Sequence, residues 1–356
     1  MTEGLEPVSS FYSKKAGEKL RILFYTPRWL PMMWGGSLTY NHDLALELIK
    51  AGHTVHAEPF DRNRFDSKYL SRYEWEGVVV NPSVEEKGGY DIIIAHTLSL
   101  ANAWKLKQTD PQLKNTPLVG IMHNERPDNI VLCHRPEWDG ILFNSSWIGG
   151  LVDNQKAKRS TLIPITYQPL KPEQVDPSAK NKIIMINSNP TKGGPLMREI
   201  VALAAEQAPE LEFIHVKGWR GEQEELSRFP NIKQYEGLNA TEVDELLNEA
   251  CIHLLPSNLE SWSITAQQSQ GKGNIVFYVD NMPALVENLA DSGVALPVEA
   301  TAADWLKKIV EVKEAYKQAD STLHLKALER AEMNHARHTT ELNEAVKFVE
   351  EIAGGN

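Results

Sequence analysis

Short apolar runs alternate with amphipathic segments along most of the chain. The first run is RILFYT at 21–26, and later ones include YDIIIAH at 90–96, LVGIMH at 118–123 and GILFN at 140–144. Apolar runs of four to eight residues bounded by turn residues are typical of buried parallel strands. After the first run, apolar positions at helical spacing predict a helix over about 37–51, which Gly52 ends. This alternation predicts an α/β fold with a parallel, doubly wound sheet.

The same order of elements begins again after a proline-rich stretch at 164–182, which is typical of a linker between domains. The runs KIIMIN, LEFIHV, NIKQYE and CIHLLP predict four more strands, with helices over 195–207 and 241–250 between them. The sequence therefore predicts a polar leader at 1–19 and two Rossmann-like domains, at 20–170 and 171–336. A last helix is expected over 337–356.

The composition is that of a globular protein, with 42% hydrophobic and 24% charged residues in 356. The absence of an apolar run approaching 18 residues or of a signal-peptide core predicts no integral membrane segment and a cytoplasmic location. Peripheral membrane association stays open. The net charge of −11 lies in the second half, because residues 1–170 carry 19 basic and 19 acidic side chains. That imbalance argues against broad polyanion binding by the second domain.

Residues 251–276 predict a strand, a polar turn, a helix and the next strand. In open α/β sheets, ligands bind beyond the carboxyl ends of strands, and the free N–H groups of the next helix attract anions. Glu260 lies in this turn. Gln268 follows it by a little over two helical turns, so both side chains fall on one helix face about 12 Å apart. The predicted helix start is formed by Ser261, Trp262 and Ser263.

This unit resembles the donor-binding segment of the retaining GT-B glycosyltransferases, particularly family four. Pro256 and Ser257 match the strand end, Glu260 matches the first of the family's two Glu residues, and Gln268 stands in place of the second. In the family, the first Glu contacts the donor sugar and the second holds the ribose hydroxyls. The resemblance implies a GT-B fold, with two Rossmann-like domains facing a cleft and the last helix crossing back to the first domain.

A second segment, INSNPTKGG at 186–194, places Lys192 and two glycines between a strand and a helix. Lys192 can neutralise phosphate charge, and Gly193 lets the backbone approach a ligand closely. The segment resembles a family pattern in which Lys and Gly begin five positions after an Arg and both cations hold the departing diphosphate. Lys192 and Gly193 match, whereas Asn187 occupies the Arg position. Arg220 or Lys217 could supply the second cation.

The first half offers weaker signals. Gly35 and Gly36 precede the first helix and resemble the family's Gly-Gly loop, which closes on the donor phosphates. His96 and His123 end two predicted strands, where the family often has His, the second commonly facing the transferred sugar. The resemblance therefore implies a catalytic place for His123 beside Glu260 and Lys192. The acceptor-side candidates are His96, Trp34 and Arg135, and Trp219 is the candidate for contacting the nucleotide base.

Simpler interpretations stay open for several of these residues. Trp34 suits core packing as well as acceptor stacking, and Arg135 suits an exposed loop. The sequence holds no Asp-x-Asp, G-x-G-x-x-G, G-x-x-x-x-G-K-[ST], G-x-S-x-G or H-E-x-x-H motif. Metal-dependent sugar-nucleotide binding, dinucleotide redox chemistry and the common hydrolytic mechanisms therefore lack support. No metal site and no cofactor are expected, only a nucleoside diphosphate sugar as co-substrate.

The sequence thus predicts a metal-independent transferase that moves a hexosyl or pentosyl group, with retention, to a hydroxyl acceptor. The acceptor could be a glycan, a lipid, a small molecule or a modified DNA base. One alternative is a viral-type glycosyltransferase acting on hydroxymethylated bases in DNA, which the acidic second half disfavours. The other is a catalytically silent nucleotide-sugar binding protein, because Asn187 and Gln268 replace charged family residues.

Overall fold

The structure, a computed structural model, describes residues 18–32, 35–61, 69–83, 89–165, 167–218, 223–318 and 321–354. The described residues form two sheets, of eight and six strands, in two α/β domains. No helix in these ranges is long and apolar enough to cross a membrane.

The first sheet has the strand order β3-β4-β2-β1-β5-β6-β7-β8, and only β3 is antiparallel to its neighbour. Its strands are β1 (Arg21–Thr26), β2 (Thr54–Pro59), β3 (Tyr73–Trp75), β4 (Val78–Val80), β5 (Ile92–His96), β6 (Leu118–Met122), β7 (Gly140–Phe143) and β8 (Lys158–Thr161). Its helices are α1 (Gly36–Lys50), α2 (Leu100–Thr109), α3 (Pro127–Cys133) and α4 (Ser146–Gly150). Strands β5, β6 and β7 are apolar because helices or loops cover both faces of the sheet.

The second sheet is wholly parallel, in the order β11-β10-β9-β12-β13-β14, which is the Rossmann order 3-2-1-4-5-6. Its strands are β9 (Lys182–Ile186), β10 (Glu212–Val216), β11 (Ile232–Tyr235), β12 (Ala250–Leu255), β13 (Ile275–Val279) and β14 (Val294–Leu296). Its helices are α5 (Gly194–Gln207), α6 (Ala240–Glu249), α7 (Ile264–Gly271), α8 (Pro283–Leu289) and α9 (Ala302–Tyr316). These bounds agree with the sequence patterns within a few residues.

A final helix, α10 (Leu323–Ala353), is 31 residues long and belongs to both domains. Near its start, Ala327 packs into the core of the second sheet, whereas Phe348 and Ile352 pack into the core of the first. The expectation that the last helix crosses back is therefore confirmed. The helix is continuous, so the expected division at residue 336 falls inside it.

Polar contacts also join the domains. The Glu287 carboxylate on α8 accepts hydrogen bonds from the backbone N–H groups of Ser146 (3.1 Å) and Trp147 (2.9 Å), at the start of α4. Arg337 on α10 donates to the Glu287 carboxylate (2.8 Å) and to the Ser146 hydroxyl (2.9 Å). A carboxylate at a helix N-terminus offsets the unpaired N–H groups there. These contacts fix the first turn of α4 against the second domain.

The docking of α10 on the first sheet yields a stability prediction. We expect Phe348→Ala to lower the free energy of unfolding by about 3 kcal/mol, because it removes a buried aromatic ring and leaves a cavity. Lys347→Ala is the control, since the neighbouring Lys347 is exposed, and its effect should stay within about 0.5 kcal/mol. Denaturant unfolding of the full chain measures both, and equal losses would contradict the packing described.

Candidate active site

The point where strand order reverses in the second sheet lies between β9 and β12, which pair directly. At such a point, the loops that leave the two strands diverge and open a crevice at the carboxyl edge of the sheet. The loop after β9 carries Lys192, and the loop after β12 carries Glu260. The topology therefore brings together two residues that are 68 positions apart in the chain.

Lys192 and Glu260 form an ion pair across this crevice, with Nζ 2.6 Å from Oε1. The Lys192 ammonium also donates to the Leu259 carbonyl at 3.3 Å, and the Ser257 hydroxyl donates to the same Glu260 oxygen at 2.9 Å. Glu260 is 9% exposed, whereas the Lys192 side chain is 28% exposed. The carboxylate is thus fixed from two sides, while the lysine stays accessible to solvent.

The glycines after Lys192 allow the loop after β9 to pack closely on other backbone. Gly193 has φ +80°, and a Cβ there would overlap the carbonyl oxygen of Pro256. A Cβ on Gly194 would overlap the carbonyl oxygen of Ser188. This close approach places Lys192 against the turn that holds Glu260. A contact between Gly193 and a ligand stays a prediction.

The Gly-Gly loop of the first domain faces the second domain. A Cβ on Gly36, the first residue of α1, would lie 3.2 Å from Cδ1 of Ile264, the first residue of α7. A Cβ on Gly35 would meet no atom within 4 Å, so open space lies beside this residue. The first turns of α1 and α7 thus stand on opposite sides of the cleft, and each presents free backbone N–H groups.

The three residues predicted at the start of the α7 helix have separate places. The Ser261 hydroxyl donates to the His123 carbonyl at 2.6 Å and accepts from Asn144 at 2.9 Å, so it joins the two domains. Trp262 is 1% exposed and packs with Ile163 and with the linker residues Ile165 and Tyr167.

Ser263, with φ +70°, caps the helix instead, because its hydroxyl accepts from the Ala266 N–H at 3.4 Å. The helix therefore begins at Ile264, two residues later than the sequence indicates. Gln268 is partly buried on α7.

Asn187 turns away from Lys192. Its backbone has φ +67°, and its Oδ1 accepts from the Gln223 amide at 3.0 Å, beside Gly218. Lys217, one candidate for the second cation, pairs with Glu225 at 2.9 Å. Of the predicted cations that the described ranges include, Lys192 contacts Glu260 and Lys217 does not. Three other predicted residues lie outside the described ranges: Trp34, Trp219 and Arg220.

The predicted histidines lie together in the first domain. The His96 and His123 rings are 4.7 Å apart, and the Tyr40 ring lies 5.0 Å from that of His123. The Asn41 amide contacts His96 Nε2 at 3.0 Å. Burial lowers the pKa of His96 to about 4, and burial together with His96 holds the pKa of His123 well below its ordinary value. Both rings are therefore neutral near pH 7.

Arg135 does not belong to this cleft. It is exposed, pairs with Glu137 at 2.6 Å and lies in the connection from α3 to β7. In a parallel sheet, a connection that leads into a strand lies at the amino edge, opposite the ligand-binding edge. This position separates Arg135 from the strand ends that carry His96 and His123, and a contact between Arg135 and an acceptor stays a prediction.

Glu125 is a site residue that sequence reasoning missed. Its Oε2 is buried and has no hydrogen-bond partner. Burial raises the pKa of Glu125, the Glu260 charge raises it further, and Lys192 and backbone N–H groups lower it. Glu125 therefore adds a second carboxyl group near the Lys192–Glu260 pair. An acidic residue two positions after a histidine that ends a strand is the signal that could have identified it. Within the described ranges, no group of three His, Cys, Asp or Glu residues is placed to hold a metal ion.

The buried histidines predict a loss of stability in acid. Between about pH 6.5 and pH 4, the unfolded chain binds a proton at His96 that the folded chain does not, so stability falls as pH is lowered through this window. The slope from one such group reaches about 1.4 kcal/mol per pH unit. We expect His96→Asn to reduce this slope in denaturant unfolding. Replacing the exposed His134 by Asn should leave it unchanged, and equal slopes in all three proteins would refute the prediction.

Known structures share this two-domain arrangement. A glycosyltransferase from Rickettsia africae aligns with a TM-score of 0.66 and 15% identity, over 95% of this chain and 100% of the other. The sucrose-phosphate synthase from Thermosynechococcus elongatus aligns with a TM-score of 0.65 and 14% identity, over 92% of this chain and 100% of the other. An α,α-trehalose-phosphate synthase (UDP-forming) from Burkholderia vietnamiensis aligns with a TM-score of 0.64 and 12% identity, over 94% of this chain and 98% of the other.

No protein-family model and no curated protein sequence matches the chain, so membership of family four stays a prediction. These alignments agree with the strand orders of the two sheets and with the crossing helix, and all of them concern the fold alone. The chain therefore has the GT-B fold that these glycosyltransferases share.

Proposed function

We propose that the chain transfers a sugar from a nucleoside diphosphate sugar to a hydroxyl acceptor, with retention and without a metal ion. The observation that carries this proposal is the Lys192–Glu260 ion pair at the switch point of the second sheet, opposite the Gly35–Gly36 loop. A cation, a carboxylate and two helix starts around one cleft provide the groups that a sugar diphosphate requires.

The reaction breaks the bond between the anomeric carbon and the diphosphate oxygen, and a bond to the acceptor oxygen replaces it. Negative charge develops on the departing oxygen, where Lys192 and the N–H groups at the start of α7 stabilise it. Glu260 is held by Lys192 and Ser257, so its role is to orient the donor's sugar hydroxyls. The acceptor hydroxyl gives its proton to the departing diphosphate oxygen as the new bond forms.

The donor enters where Lys192 already has a partner. Its diphosphate must either share the Lys192 ammonium with Glu260 or displace Glu260 from it. Glu125 adds a carboxyl group nearby, so protonation of Glu125 favours diphosphate binding through reduced repulsion. A uridine nucleotide is the first donor to examine, because one similar structure is a UDP-forming synthase.

A specific alternative is nucleotide-sugar binding without turnover. The neutral Asn187 side chain stands at the position of the family's Arg and accepts a hydrogen bond from Gln223. A leaving diphosphate therefore has one positive charge fewer available at this position. Saturable binding of a UDP-sugar with neither hydrolysis nor transfer would favour this alternative. Transfer to hydroxymethylated DNA would instead identify the viral-type acceptor, and its DNA binding should weaken steeply with salt.

The central mutants test the proposal. We expect Lys192→Ala and Glu260→Ala each to lower kcat/KM for UDP release from the active UDP-sugar by about 100-fold or more, because each removes a group that acts on the reacting sugar diphosphate. Lys308→Ala is the matched control, since Lys308 lies on α9 and pairs with Glu311. Near-normal rates in both site variants would remove the mechanism.

Gln268 yields a gain-of-function prediction. A carboxylate accepts hydrogen bonds from ribose hydroxyls more strongly than an amide does, so Gln268→Glu should tighten UDP binding by about three- to tenfold. Gln207→Glu makes the same charge change at an exposed position on α5 and should have no effect. Isothermal titration calorimetry with UDP compares the three proteins. Weaker binding by Gln268→Glu would show that Gln268 does not contact the ribose.

A further inference from the structure

A separate cavity of about 230 Å³ lies in the first domain, beyond the carboxyl ends of β5 and β6. It is lined by first-domain residues only, among them Ser37, His96, Thr97, Leu98, His123 and Asn129. The Gly35–Gly36 loop leads into α1 immediately before Ser37, so the cavity adjoins the cleft. Its volume is below the roughly 300–1,000 Å³ of sites for drug-sized ligands. It is therefore large enough for one small group.

The cavity lining contains no charged side chain among the described residues. The nearest cation along the chain, Arg126, is exposed and pairs with Asp128 at 3.3 Å. Lys192 is held by Glu260 across the cleft. Glu125, next to the lining residue Asn124, provides a carboxyl group. An anionic ligand would therefore find no counter-charge here and would lose its hydration without compensation.

The lining is nevertheless polar. His123 Nε2 is buried without a hydrogen-bond partner, although most buried polar atoms in proteins have one. Burial keeps both histidine rings neutral, so each ring has one donor and one acceptor, and His96 Nε2 already pairs with the Asn41 amide. Hydroxyl groups, which both donate and accept, match this set of partners.

We propose that this cavity binds the acceptor through an uncharged, hydroxyl-bearing group no larger than one sugar ring, and that it discriminates against sugar phosphates. The inference rests on the proposed function and specifies its acceptor class. It separates this chain from the similar synthases whose names carry a phosphorylated sugar. Among the described residues, the lining of this cavity includes no cation of the kind that a phosphate group requires.

Leu98 gives access to a direct test, because it lines the cavity and is 44% exposed, so its replacement does not disturb the core. Saturation-transfer NMR with D-glucose, glycerol and D-glucose 6-phosphate, in the presence of saturating UDP, measures binding to wild type. We expect signals from one or both neutral probes and a weaker one from the phosphate. Leu98→Trp should abolish the neutral signals by filling the cavity mouth.

We expect Leu98→Arg to reverse the preference of the cavity for neutral probes over D-glucose 6-phosphate. A guanidinium at the cavity mouth should increase D-glucose 6-phosphate binding by about tenfold through charge-assisted hydrogen bonds. The matched controls are Val131→Trp and Val131→Arg, because Val131 is 64% exposed on α3 and does not line the cavity. These controls should behave like wild type.

Three results would overturn the inference: no signal from either neutral probe, a stronger wild-type signal from the phosphate, or neutral signals that survive Leu98→Trp. The proposed function has its own readout, which is UDP binding and turnover by wild type. UDP binding with an inert cavity would refute the acceptor class alone. Absence of binding by UDP and by the other nucleoside diphosphates would refute the proposed function.

Discussion

The candidate site depends on the close approach of two loops at the switch point of the second sheet. Gly193 makes this approach possible, because any side chain there would overlap the Pro256 carbonyl. The approach brings the Lys192 ammonium to 2.6 Å from the Glu260 carboxylate. A partly buried ion pair requires good geometry and further hydrogen bonds to offset desolvation, and Ser257 and the Leu259 carbonyl supply them. The topology thus assembles a charged pair that neither loop could hold alone.

Contacts between the two domains bring the strand ends of the first domain to the Lys192–Glu260 pair of the second. The continuous helix α10, the Glu287–Arg337 contacts and the Ser261 bond to the His123 carbonyl hold the two domains together. Ser261 thereby links the turn after Glu260 directly to the strand end that carries His123.

Much of the fold could be predicted from the sequence, because buried parallel strands such as β5 and β12 are continuous apolar runs. The edge strands β3 and β8 could not, since their sequences, YEW and KRST, lack that signal. Motif spacing brought Lys192 and Glu260 together correctly. Spacing alone could not show where tertiary packing places a side chain, as for Trp262 in the linker core, or which edge of the sheet a loop occupies, as for Arg135. Glu125 was missed because its proximity to Glu260 exists only across the cleft.

The decisive measurement is a structure of the chain with UDP bound. We expect a phosphate oxygen within about 3 Å of Lys192 Nζ, the distance of a charge-assisted hydrogen bond. We also expect the diphosphate to lie between the first turns of α1 and α7. A diphosphate bound elsewhere, with the Lys192–Glu260 pair intact, would show that the switch point of the second sheet is not the donor site.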